Sequence, residues 1–243
     1  MNTTGLIVQN LAKKVGARTI LNNVSLQVNK AEVVALLGPN GAGKTSCFQA
    51  IIGLNDISSG TITLGGQNVS ALPMYRRARL GLGYLPQESS IFRGLTVAQN
   101  LRAVLEMVCK THAEQETRLA ELLTEFGLEK VKDSPATALS GGERRRVEIA
   151  RALATNPSFM MLDEPFAGVD PLAIRDVKNL VTHLKQRGMG VLITDHNVRD
   201  TLALVDRAYI ISEGKIIASG TPKEITQNPD VKRVYLGEDF QLA

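Results

Sequence analysis

The chain opens with alternation. Residues 6–11 (LIVQNL) read as a short strand, and 19–28 (TILNNVSLQV) alternates apolar and polar positions through Val24, Leu26 and Val28 with asparagine turn signals, the period of a half-buried strand. Val33 to Leu37 (VVALL) is continuously apolar and ends in glycine, which predicts a strand covered on both faces, as in a parallel sheet. A helix is predicted from about Gly43 to Ile52, and the turn-rich SSGTITLGG after it predicts another strand. From about Glu88 to Pro157 the period changes. Val97 to Val108 and Ala113 to Phe126 read as helices, and strand signals are few. Strand and helix then alternate again, with Phe159–Leu162 and Gly190–Thr194 as buried strands around a helix at Pro171–Arg187. Ala208–Ser212 and Lys215–Ala218 read as a hairpin across Glu213-Gly214. The pattern predicts an α/β core with a mostly helical lobe inserted into it.

Composition narrows the classes. At 44% hydrophobic and 21% charged, 243 residues can bury a sizeable core. The net charge of +4 comes from scattered basic residues with only 4% aromatics and no Trp, so the nucleic-acid footprint of clustered cations and stacking rings is missing. Cys47 and Cys109 are far apart and lack metal-ligand spacing; they read as packing residues of a reduced protein. The first residues have no signal-peptide layout, and no apolar run reaches the roughly 20 residues that span a bilayer.

The chemistry begins at GPNGAGKT. Gly38, Pro39, Asn40, Gly41, Ala42, Gly43, Lys44 and Thr45, with Ser46 after them, follow a buried strand and open a helix. Glycines let backbone N–H groups close around phosphate oxygens, and the helix start adds its positive dipole end. In this pattern Lys44 reaches the β- and γ-phosphates and Thr45 offers its hydroxyl to Mg²⁺. Four apolar residues then deliver Asp163 and Glu164 to a strand's C-terminal end, the edge where open α/β sheets bind ligands. Asp163 is expected to hold Mg²⁺ and Glu164 to polarise the attacking water. The strand Gly190–Thr194 brings Asp195 and His196 to the same edge, with His196 expected to reach the γ-phosphate and orient Glu164 and the water. His112 and His183 lie in polar helical settings and receive no role.

A second helix start also suits an anion: Leu139-Ser140-Gly141-Gly142-Glu143, followed by an apolar stripe at Val147, Ile149, Ala150 and Leu153. With GPNGAGKT, Gln87, LSGGE, MMLDE, AGVD at Ala167–Asp170 and His196 in order, the sequence resembles the ABC ATPases over essentially its whole length. The resemblance implies a P-loop NTPase (RecA-like) core with an N-terminal antiparallel β subdomain and an inserted helical subdomain. Within one ABC ATPase domain it assigns residues 1–87 and 158–225 to the core, 88–157 to the helical part and 226–243 to a C-terminal tail.

It also implies ATP and Mg²⁺ as cofactors, and a head-to-tail homodimer in which Ser140, Gly141, Gly142 and Glu143 of one copy close over ATP on the P-loop of the other. Gln87 would touch nucleotide and Mg²⁺ and join core to helical lobe, and Asp170 would lie at the subunit interface. Within the family, GYLPQESSIFRGLTVAQNL and the GEDF ending are most similar to the ATPases of lipopolysaccharide export, with branched-chain amino acid importers as the alternative. That likeness implies two integral membrane subunits, contacted through Phe92 and Arg93, at the cytoplasmic face of the inner membrane of a Gram-negative bacterium, with lipopolysaccharide touched only indirectly. An ordinary core position for Phe92 is the other reading. The tail from Asp230 to Leu242 would pack on the partner's tail. One position departs from the family: an aromatic that stacks adenine is expected near Val15, and none precedes Phe48.

Overall fold

The computed structural model describes residues 5–167, 171–238 and 240. Its contacts divide the chain into two compact units, Met1–Tyr84 with Ser158–Ala243 and Leu85–Pro157.

The first unit is built on two sheets. In the smaller, β1 (Leu6–Val15) pairs antiparallel with β2 (Arg18–Val28) and with β4 (Ser59–Leu64), which pairs with the short β5 (Gln67–Asn68). Alternation holds along β2: Leu21, Val24, Leu26 and Val28 are buried while neighbours face out. The larger sheet has six strands in the order β10-β9-β3-β8-β7-β6: Lys215–Gly220, Arg207–Ser212, Val33–Leu37, Gly190–Thr194, Phe159–Asp163 and Leu82–Leu85. The strands β3, β8, β7 and β9 run parallel, and β9–β10 closes the edge as an antiparallel hairpin. All five residues of β3 and of β8 are buried, as their unbroken apolar runs predict. One apolar cluster joins the inner face of the small sheet, the face of β3, β7 and β8, and Cys47, Phe48, Ala50, Ile51 and Ile52 of α1 (Lys44–Ile52).

The helix α1 ends on Gly53 at φ 84°, the left-handed conformation that lets the chain turn off a helix. Arg77 of α2 (Met74–Arg79), only 2% exposed, donates to the Ala50 and Ile51 carbonyls at 2.7 Å each. A cation on the last carbonyls of α1 offsets the negative end of its dipole. Burial nevertheless pulls the Arg77 pKa down. The hairpin and helix predictions hold to within two residues at each end, while β1 runs four residues past the predicted LIVQNL segment. The architecture is the α/β fold expected, with its antiparallel β subdomain. Cys47 is fully buried and its thiol is pushed up to about 12 by desolvation, as suits a packing residue.

The second unit is helical: α3 (Val97–Val108), α4 (His112–Glu125) and α5 (Gly141–Leu153) pack through Leu101, Leu105, Leu119, Leu122, Val147 and Ala150. Back in the first unit, α6 (Pro171–Gln186) and α7 (Val198–Leu202) flank β8, and α8 (Pro222–Gln227), α9 (Pro229–Val231) and a π-helical turn at Lys232–Leu236 form the tail.

Candidate functional site

Three neighbouring parallel strands end at one edge. From β3 the chain enters the loop Gly38–Gly43; from β7 it delivers Asp163 and Glu164; from β8, Thr194, Asp195 and His196. Because Asp163 and Thr194 are register partners, their side chains meet: Thr194 Oγ1 donates to Asp163 Oδ1 at 2.7 Å. The Tyr84 hydroxyl also bonds Asp163, and burial followed by that carboxylate pushes the phenol up to about 12.

Glycine is required at two loop positions. A Cβ on Gly38 (φ 155°) would stand 2.0 Å from the Ile211 carbonyl, and one on Gly43 (φ 109°) 2.9 Å from Leu21. Lys44 is 6% exposed, and its Nζ donates to the carbonyls of Gly38 at 2.7 Å and Pro39 at 3.0 Å. Desolvation lowers its pKa, with the Glu164 carboxylate acting in the other direction. The start of α1 has no side-chain cap and no acid in its first turn. A buried ammonium, glycine turns and uncapped first-turn amides form a donor set that fits a polyphosphate.

Glu164 is held in a left-handed conformation, φ 46°, which costs a non-glycine residue free energy. Its N–H donates to the Thr194 carbonyl at 2.8 Å, and its carbonyl accepts from Ala167 at 3.0 Å. Asp195, 2% exposed, fixes the same turn: one carboxylate oxygen accepts from Phe166 N–H at 2.8 Å and the other from Asn197 N–H at 2.7 Å. The result is a contact of 2.7 Å between Glu164 Oε1 and His196 Nε2. Glu164 is mostly covered and the imidazole half exposed. The core unit thus brings together Lys44, Asp163, Glu164 and His196, while Asn40, Gly41 and Thr45 lie exposed at the loop and helix start.

Gln87, Phe92, Arg93 and Ser140–Glu143 belong to the helical unit. Ser140 caps α5 through a capping box: its Oγ accepts the Glu143 N–H, while Glu143 Oε2 accepts the Ser140 N–H at 2.9 Å and hydroxyl at 2.6 Å. Those bonds hold the Glu143 carboxyl below its usual range. The anion site expected here therefore already engages a carboxylate of its own chain. Phe92 is 49% exposed, which removes the core reading. Asp170 lies outside the described residues. In the tail, Tyr235 is half-buried and its hydroxyl meets the Gly38 backbone; burial pushes it up to about 12. Phe240 lies 5.9 Å from the Arg199 guanidinium on α7.

Sequence reasoning gave no role to Arg77, Asp195 or Glu148, though it brought Asp195 to the site edge. Arg77 and Asp195 look like ordinary surface polars, and only their buried partners distinguish them. Glu148 carries no stronger signal, since on a helix it stands off the apolar stripe and beside Arg145 and Arg151, where a solvated charge is the ordinary reading.

Set beside known proteins, residues 21–167 match the family model described as ABC transporter, and residues 215–241 match that of the branched-chain amino acid ATP-binding cassette transporter. An uncharacterized ABC transporter ATP-binding protein of Rhizobium meliloti is 58% identical over 98% of this chain and 88% of its own. The lipopolysaccharide export system ATP-binding protein LptB of Escherichia coli K12 is 57% identical over 98% of this chain and 99% of its own. Among solved structures, the ADP conformation of MJ1267, an ATP-binding cassette of an ABC transporter, superposes with a TM-score of 0.84 at 29% identity, covering 96% of this chain and 98% of the other.

Proposed function

This chain belongs to the ABC transporter ATP-binding proteins, and on that premise we propose that it is the ATP-hydrolysing subunit that powers lipopolysaccharide export, acting as a pair beneath two integral membrane subunits. The observation that carries hydrolysis is the Glu164–His196 contact of 2.7 Å at the strand edge that also holds buried Lys44. The 57% identity to LptB across nearly the whole chain supports the cargo. The match of residues 215–241 to a branched-chain amino acid transporter model supports a second reading, the ATPase of such an importer.

The loop Gly38–Ser46 wraps the phosphates, and Lys44 exchanges its two carbonyl partners for phosphate oxygens. Thr45, Gln87 and Asp163 are the residues that would hold Mg²⁺, which supplies charge neutralisation between the phosphates when bound. Glu164 takes the proton of the attacking water, and His196 fixes that carboxylate. Positioning and charge stabilisation account for most of such catalysis. Ser140, Gly141, Gly142 and Glu143 of a second copy complete the site, with Asp170 and the tail at the interface. None of the described helices is long and apolar enough to cross a membrane. Attachment at the cytoplasmic face of the inner membrane would run through the exposed Phe92 and Arg93.

Glu164→Gln should lower turnover by about 10²–10⁴ while ATP binding persists, and Lys44→Ala should lose binding as well. A Glu164→Gln protein hydrolysing ATP at the parental rate refutes the assigned base. Identifying the integral subunits that co-purify from membranes, and what they carry, separates the two cargo readings.

A further inference from the structure

The chemistry above leaves a buried carboxylate of the helical unit without a task. Glu148 lies on α5, 4% exposed, on the face it shares with Arg145 and Arg151 and off the apolar stripe of Val147, Ile149, Ala150 and Leu153. Its Oε1 accepts the Ser89 hydroxyl at 2.6 Å and the Ser90 N–H at 2.9 Å. Its Oε2 pairs with Arg145 at 3.3 Å, and Arg145 also donates to the Pro86 carbonyl at 3.3 Å. One turn further along α5, Arg151 Nη2 donates to Ser90 Oγ at 2.6 Å, and its guanidinium lies 4.6 Å from the centre of the Phe92 ring. From the other side Asn100 of α3, fully buried, accepts the Phe92 N–H at 2.9 Å and donates to the Phe92 carbonyl at 3.1 Å.

Burying charge is costly, and apolar residues of similar volume in place of the whole Glu148–Arg145 pair would commonly be as stable or more so. Stability alone therefore does not explain a carboxylate here. What Glu148 supplies, and an apolar side chain cannot, is bonding to successive residues of one irregular segment. That segment runs from the residue before Gln87 to the exposed ring of Phe92. The helix that binds it is the one whose first residues are Ser140–Glu143.

We infer that Glu148 and Arg151 are positioning residues that lock segment 89–92 to α5, so that displacement of the Ser140–Glu143 helix start is delivered to Phe92 as a rigid movement. The inference rests on the reading of Phe92 and Arg93 as the contact with the membrane subunits. It adds which side chains make the connection: the Glu148 carboxylate on Ser89 and Ser90, and the Arg151 guanidinium on Ser90 and Phe92.

The test compares Glu148→Met, which keeps the buried volume filled, and Glu148→Gln, which keeps one acceptor oxygen, with Phe92→Ala as control. Three quantities are measured: amide hydrogen exchange over residues 88–93, ATP turnover of the isolated chain, and affinity for the detergent-purified integral subunits that co-purify with the parent chain. Glu148→Met should raise exchange at the Ser90 amide by about tenfold or more and weaken subunit affinity by about tenfold, the loss of charged hydrogen bonds. Turnover of the isolated chain should stay within about twofold, since Glu148 lies outside the catalytic set. Glu148→Gln should restore most of the protection and affinity. Unchanged Ser90 exchange in Glu148→Met overturns the inference. So does full subunit affinity in Glu148→Met while Phe92→Ala loses it, an outcome that leaves the docking reading intact. Full affinity in Phe92→Ala overturns the docking reading and, with it, the inference.

Discussion

The starts of α1 and α5 are built from similar residues and satisfied in opposite ways. Gly41 and Gly43 precede α1, Gly141 and Gly142 open the first turn of α5, and each start leaves first-turn amides without carbonyl partners inside the helix. At α1 no side chain caps the amides and no acid stands in the first turn. At α5, Ser140 and Glu143 cap each other. The first arrangement is a pure donor surface, suited to a multiply charged ligand. The second carries its own carboxylate, so a phosphate brought to it by another copy must share Ser140 with Glu143. An LSGGE start is therefore a conditional anion site, and its selectivity lies in what can displace a local hydrogen bond.

That contrast can be broken at Ser140. Because Thr96 and Gln99 form the same capping box at α3, they give a control with no proposed ligand. Ser140→Ala should lower ATP turnover of the paired protein by more than about tenfold, as loss of a donor to developing charge does. Thr96→Ala should leave turnover per folded molecule unchanged and cost about 1 kcal/mol in denaturant unfolding. Equal effects on turnover would reduce the α5 start to a helix cap.

Acid sharpens the same point by a smaller effect. The Ser140 hydroxyl and N–H hold Glu143 below its ordinary value. Its contribution is thus complete above about pH 4.3 and is lost as the pH falls through the lower folded value. Exchange of the Ser140 amide, which donates to that carboxylate, should rise in that window, and exchange at the neutral Thr96–Gln99 box should not. The smallest expected difference concerns the base. Val15 is 60% exposed at the end of β1 and no aromatic precedes Phe48, so adenine lacks the stacking partner worth on the order of 1 kcal/mol. Equilibrium binding of ATP and GTP should differ by less than about tenfold; a larger gap would mean that another group holds the base.

What was legible in the sequence was what depends on period and local spacing. The buried strands β3, β7 and β8, and the arrival of Lys44, Glu164 and His196 at one edge, follow from apolar runs ending in polar residues. The supports were not legible, because each depends on a partner distant in sequence. Asp195 is read as a strand-end polar until its bond to Phe166 across 29 residues is seen. Arg77 looks solvated in MYRRAR until it is found on the carbonyls of α1, 26 and 27 residues away. The left-handed backbone of Glu164 has no sequence signature either, since glutamate carries no preference for it.

The central claim is that one copy does not contain a finished catalytic centre. Small-angle scattering of Glu164→Gln protein with ATP and Mg²⁺, over a concentration series, tests it directly. The account predicts a nucleotide-dependent doubling of particle mass that Ser140→Ala weakens. Particles of single-chain mass at every concentration, with ATP bound, would contradict it.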